Sequence, residues 1–141
     1  MIGSALDWLR LMWRLRKNHR MMPYEKFEAW RISHQLALEV YRLTQTWPPS
    51  ERYELTKQTR SAALSVPTNI AEGAAKRGVI EFRRFLDIAR GSLSELSYLL
   101  RFSRDLGILR DDEFRTIDAL RDQAGIVTWR LYRCMSRKGL S

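Results

Sequence analysis

Residues 82–103 read FRRFLDIARGSLSELSYLLRFS, and the period of this stretch decides the fold. Phe82, Leu86, Ala89, Leu93, Leu96, Leu100 and Ser103 recur at alternating spacings of four and three. An α-helix turns once in about 3.6 residues, so such a series stays on one face and forms a coiled-coil-like seam. A second line on the same helix holds Phe85, Ile88, Ser92, Glu95, Leu99, Phe102 and Leu106, apolar except for Ser92 and Glu95. Two seams on one helix predict more than one neighbour, as in a bundle. Gly107 is placed to cap its C-terminus.

Working outward, the same period recurs on both sides. A helix opening on Pro23 and running to about Trp47 carries Phe27, Trp30, His34, Ala37, Tyr41 and Thr44 on one face. Ile32, Leu36, Val40, Leu43 and Trp47 lie on another, before Pro48 and Pro49 stop it. Ser50 is a candidate N-cap for the next helix, whose inward stripe is Leu55, Thr59, Ala62, Val66 and Ile70. Pro67 sits inside that pattern and predicts a kink, and the helix ends at or just after Gly73. Asp111, Asp112 and Glu113 suit the positive N-terminal end of a last helix with the seam Ile117, Leu120, Ala124, Val127, Leu131 and Cys134. Cys134 is therefore expected in the core. The fold expected is all-α: an antiparallel up-down-up-down four-helix bundle over residues 23–139, with an additional amphipathic segment over residues 1–22.

That N-terminal segment is open to three readings. Leu6, Leu9, Met12, Trp13 and Arg16 fit an amphipathic helix that packs on the bundle or a neighbour. They also fit an arm for nucleic acid or membrane. Met21 and Met22, just before the first bundle helix, allow residues 1–21 to be an extended start.

The formal charge of +9 is concentrated at the two ends. Arg10, Arg14, Arg16, Lys17 and Arg20 face one acid, Asp7, in the first 22 residues; Arg130, Arg133, Arg137 and Lys138 face none in the last fifteen. Basic ends on a near-neutral bundle suit a polyanion, RNA or DNA, or an anionic membrane surface. Arg130, Arg133 and Arg137 share one helix face, either as a solvated stripe or as a phosphate-contact strip. Arg14, Arg16, Lys17 and Lys138 are the remaining candidate contacts. No recognition helix, zinc finger or single-strand stacking platform is legible, so binding is expected to be phosphate-driven and weakly specific.

Catalytic patterns are missing from the sequence. There is no phosphate-cradling glycine loop or nucleophile elbow. A di-iron bundle would need Glu-x-x-His pairs, but Arg31 stands three residues before His34. One cysteine and two histidines are too few for structural zinc. The expectation is a cytoplasmic, non-enzymatic protein with no metal, no cofactor and no transmembrane segment. Gln58, Arg60, Asn69, Glu72, Ser92 and Glu95 lie beside apolar seams and must be paired where buried. Arg60 with Glu72 or Glu95, across the bundle or a subunit interface, is the pairing expected.

One block carries a resemblance: Gln58, Thr59, Arg60, Ser61, Ala62, Ala63, Leu64, Ser65, Val66, Pro67, Thr68, Asn69, Ile70, Ala71, Glu72, Gly73. It resembles the signature of a bacterial four-helix-bundle family that includes the proteins encoded in intervening sequences of 23S ribosomal RNA genes. That family is similar to the accessory variability determinant of diversity-generating retroelements. Phe27, Trp30, Tyr41, Thr44, Trp47 and Pro48 agree with the flanks, as do Glu51, Tyr53 and Leu55, and the block from Phe82 through Glu95. Trp47 stands where phenylalanine is usual and Glu54 where glycine is usual, the latter altering only a helix start. The resemblance covers residues 24–109. It implies a homopentamer with a central channel, in which Gln58, Arg60, Pro67, Asn69, Glu72, Ser92 and Glu95 are structural or oligomer-interface residues. For the retroelement relative it implies contact with a reverse transcriptase and with nucleic acid through a basic outer surface; for the intervening-sequence proteins, RNA binding.

Overall fold

The computed structural model describes residues 4–17 and 21–140. Five α-helices account for most of them: α1 (Ala5–Lys17), α2 (Glu28–Thr44), α3 (Leu55–Ala74), α4 (Val79–Asp105) and α5 (Asp111–Lys138). No strand occurs among the described residues. Helices α2 to α5 form an antiparallel up-down-up-down bundle in which each packs on its chain neighbours and α2 closes the ring against α5. The seam of α4 fills the centre: Leu86, Leu93, Leu96 and Leu100 are buried, with Leu36 and Val40 of α2, Val66 and Ile70 of α3, and Ile117 and Ala124 of α5. Each buried leucine contributes about 1.5–3 kcal/mol relative to exposure.

The hydroxyls that fall on these seams are satisfied within their own helices. Thr44 donates to the Val40 carbonyl at 2.8 Å, Thr59 to Leu55 at 2.7 Å and Ser103 to Leu99 at 2.7 Å. Gly107, at φ +84°, ends α4, and the Ser103 carbonyl then accepts the backbone N–H groups of Ile108 and Leu109. A left-handed residue in this place is the usual device for satisfying the last carbonyls of a helix.

Gly73 is a packing residue one position before the end of α3, which falls at Ala74, just after the glycine as expected. It lies buried in the last turn of α3, and a Cβ built on it would fall 2.7 Å from Phe85 Cβ and 2.8 Å from Phe82 Cδ2. The missing side chain lets α3 approach the first turns of α4.

Three details differ from the sequence reading. The first bundle helix does not run unbroken from Pro23: a 3₁₀ turn over Pro23–Lys26 leads to an extended Phe27, φ −89° and ψ 125°, and α2 starts at Glu28. The Glu25 carboxylate accepts the Met22 backbone N–H at 2.6 Å, closing the turn, while the Phe27 ring reaches Phe82 at 5.3 Å. Ser50 does not cap α3; it lies in a 3₁₀ turn, Pro49–Glu51, and α3 opens at Leu55. Cys134 is exposed, because the α5 seam continues from Leu131 to Met135, four residues on, which is buried in its place. Pro67 is buried within α3, which continues through it to Ala74.

Helix α1 stands apart. Ser4 caps it, its Oγ accepting the Asp7 backbone N–H at 3.3 Å and donating to the Asp7 carboxylate at 3.0 Å. Among the described residues it packs on no other helix.

Candidate nucleic-acid interface

The antiparallel order gathers the C-termini of α3 and α5 and the N-termini of α2 and α4 at one end of the bundle. Val79 opens α4 beside Gly139, where a Cβ would meet Val79 Cγ2 at 3.3 Å. At this end lie the exposed side chains of Lys76, Arg77, Arg84, Arg130, Arg133 and Arg137. Arg130, Arg133 and Arg137 point away from the core on the last turns of α5, and among the described residues none of the three is paired with a carboxylate. Lys138 is exposed in the final turn. Glu28, Glu72 and Glu81 share this end, and Glu81 pairs with Arg84 at 3.2 Å. The opposite end is closer to neutral: Glu51, Glu54, Asp105, Asp111, Asp112 and Glu113 lie there among Arg52, Arg101, Arg104 and Arg110. There the Arg110 guanidinium, hydrogen-bonded to Asp112, holds that carboxyl below the usual aspartate range.

A second basic feature runs along the α4–α5 seam. Arg83, Arg90 and Arg104 sit on one edge of α4, at multiples of seven residues, and each covers an aromatic ring of α5. Arg83 lies over Tyr132 at 5.5 Å, Arg90 over Trp129 at 4.4 Å, and Arg104 over Phe114 at 4.1 Å. Trp129 and Tyr132 are themselves stacked at 5.5 Å. Each such cation–π contact contributes about 0.5–1 kcal/mol at a half-exposed site. Sequence reading missed this ladder; the only hint was the seven-residue spacing of the arginines. Asp87 pairs with Arg90 at 3.2 Å and Asp105 with Arg104 at 3.3 Å, so the seam is less strongly charged than the bundle end.

The polar residues of α3 and α4 divide into two groups. Ser65, Asn69 and Ser92 form a hydrogen-bonded chain between the helices. Asn69 Nδ2 donates to Ser65 Oγ at 2.9 Å, Ser65 and Ser92 hydroxyls meet at 2.8 Å, and Ser92 donates to the Ile88 carbonyl at 3.1 Å. Either hydroxyl can donate in the Ser65–Ser92 contact. Gln58, Glu72 and Glu95 are exposed. Arg60 pairs with neither Glu72 nor Glu95 within the chain. Its Nε donates to Thr44 Oγ1 at 2.7 Å and its guanidinium covers the Tyr41 ring at 4.8 Å. Glu72 is twelve residues further along the same helix, about 18 Å at 1.5 Å per residue, which is out of reach.

The second seam of α4 is only half covered. Phe85, Ser92 and Leu99 are buried, but Ile88, Phe102 and Leu106 are 42%, 44% and 54% exposed. Of the N-terminal candidates, Arg14 is exposed on α1, and the side chains of Arg16 and Lys17 lie outside the described part of the structure.

Fold and surface together define a four-helix-bundle protein with one basic end, an uncovered apolar edge and, among the described residues, no group of side chains placed to hold a metal ion. The model of the 23S rRNA-intervening sequence protein family matches residues 25–127. The chain belongs to that family. No curated protein matches it. Helix α1 and the basic turns of α5 lie beyond the matched residues.

Proposed function

We propose that the chain is a non-enzymatic protomer of a homo-oligomer, a pentamer as its family resemblance implies, that binds structured RNA or another nucleic acid in the cytoplasm. The observation that carries this reading is the convergence of Arg130, Arg133 and Arg137, without carboxylate partners among the described residues, with Lys76, Arg77 and Arg84 at one end of the bundle. Oligomerisation would repeat this cluster in every protomer, and a polyanion gains affinity by releasing counterions from each phosphate the cluster neutralises. Contacts of this kind position a backbone and carry little sequence information.

Titration of a labelled, structured RNA at two salt concentrations tests the reading. The expected result is a steep loss of affinity with salt, and a slope reduced by about 0.7–0.9 for each phosphate contact removed in Arg130→Gln, Arg133→Gln and Arg137→Gln. No binding at low salt would sink the proposal.

The exposed seam of Ile88, Phe102 and Leu106 favours a second reading, an assembly or protein-interaction module, including an accessory role beside a reverse transcriptase. A stable oligomer that ignores RNA but co-purifies with a single protein would support it instead.

A further inference from the structure

We propose that α1 is an in-plane helix that docks the protein on an anionic lipid surface. The helix is short and unusually apolar for an exposed element. Leu6, Trp8, Leu9, Met12 and Leu15 are each more than half exposed. At 100° per residue these side chains, with Leu11, spread over more than half of the helix circumference. Arg10 and Arg14, one turn apart, occupy the opposite strip with Asp7. An apolar arc with Trp13 near one margin and Arg10 and Arg14 on the strip opposite is the pattern of a helix lying at the headgroup boundary.

Length excludes the alternative of crossing the bilayer. Thirteen residues span about 20 Å, and among the described residues no helix is long and apolar enough to cross a membrane. The charge complementarity decides the occupant. A protein groove for this face would have to meet the basic strip as well as the apolar arc, whereas an anionic bilayer meets both at once, acyl chains below and phosphates at the edge. The α3–α4 face differs in this respect, since its apolar residues surround serine and asparagine rather than a cationic strip.

Flotation of the full chain with vesicles tests the proposal, comparing pure phosphatidylcholine with phosphatidylcholine containing about one third phosphatidylglycerol. The expected result is recovery with the anionic vesicles at least about tenfold above the neutral ones. Leu9→Gln with Met12→Gln leaves every charge in place, so it separates the apolar arc from the basic bundle; it should lower anionic recovery about tenfold with unchanged mass and helicity. Arg10→Gln with Arg14→Gln should remove most of the preference for anionic lipid. Unchanged recovery of the Leu9→Gln, Met12→Gln variant would overturn the proposal, because the bundle charge alone would then explain binding. Absence of flotation would overturn it too, as would a fall in oligomer mass in that variant without vesicle binding, which would assign the face to a second copy of the chain.

Discussion

Gly73 and Phe85 approach so closely that a Cβ on the glycine would lie 2.7 Å from the Cβ of the phenylalanine. Neither atom is the free end of a flexible side chain, so the two helices would have to separate. Gly73→Ala should therefore destabilise the bundle by about 1–3 kcal/mol, the cost of overpacking, despite the better helix propensity of alanine. At Gly125 an added Cβ meets nothing within 4 Å. Gly125→Ala should be neutral or stabilise by up to about 1 kcal/mol. Urea denaturation of the two variants checks both signs, and equal stabilities would show that α3 and α4 are not in contact at Gly73.

The hydroxyl relay between α3 and α4 should be measurable as a coupling. Ser92→Ala removes the hydrogen-bond partner of Ser65 and should cost about 0.5–1.5 kcal/mol, as should Ser65→Ala. Joined by the 2.8 Å hydroxyl contact, the two losses should not add. A double-mutant cycle should return an interaction energy of about 0.5 kcal/mol or more, and strict additivity would argue against the bond.

Arg60 should resist replacement by lysine. Its Nε reaches Thr44 Oγ1 while the guanidinium plane covers Tyr41, and an ammonium cannot make both contacts. Arg60→Lys is expected to lose about as much stability as Arg60→Ala, roughly 1–2 kcal/mol by analogy with other charged hydrogen bonds. Full rescue by lysine, measured by thermal denaturation, would leave only a point-charge role.

Assembly through the exposed α4 seam makes a further prediction. Ile88→Glu with Phe102→Glu places charge on a face that is open in the protomer, so the bundle should stay folded by circular dichroism while the mass by light scattering falls. Unchanged mass would move the oligomer interface elsewhere.

At the Asp112 end the pH dependence has a definite sign. The carboxyl of Asp112, hydrogen-bonded to Arg110, titrates below its ordinary range. Its contribution to stability is therefore present above the unfolded-state value and is lost as the pH falls through the folded one. A carboxyl titration followed by NMR should place Asp112 low in the wild type and return it towards the ordinary range in Arg110→Ala.

How much of this was legible in the sequence follows from what periodicity can carry. The line from Phe82 to Ser103 is one helix read against its own period, so the bundle, its order and most of its core could be seen from the residues alone. Boundaries were blurred where the backbone departs from that period, as at Phe27, whose extended conformation answers to Phe82 far along the chain. Cys134 was misplaced because a seam can step by three or by four, and Met135 is equally placed to continue it. The partner of Arg60 and the arginine–aromatic ladder depend on which edges of two helices meet, a relation between segments that no single helical period contains. The basic stripe of Arg130, Arg133 and Arg137 was visible, but its meeting with Lys76, Arg77 and Arg84 needed the antiparallel order of the helices.

The separation of charge along the bundle has a geometrical consequence for any ring built from it. A cyclic assembly has no twofold axis across its plane, so it does not exchange its front for its back. If protomers stand side by side through the long α3–α4 face, every copy contributes its Arg137 end to the same rim and its Asp112 end to the other. A polyanion would then meet a one-sided object, drawn to the arginine-rich mouth more strongly than to the near-neutral one opposite.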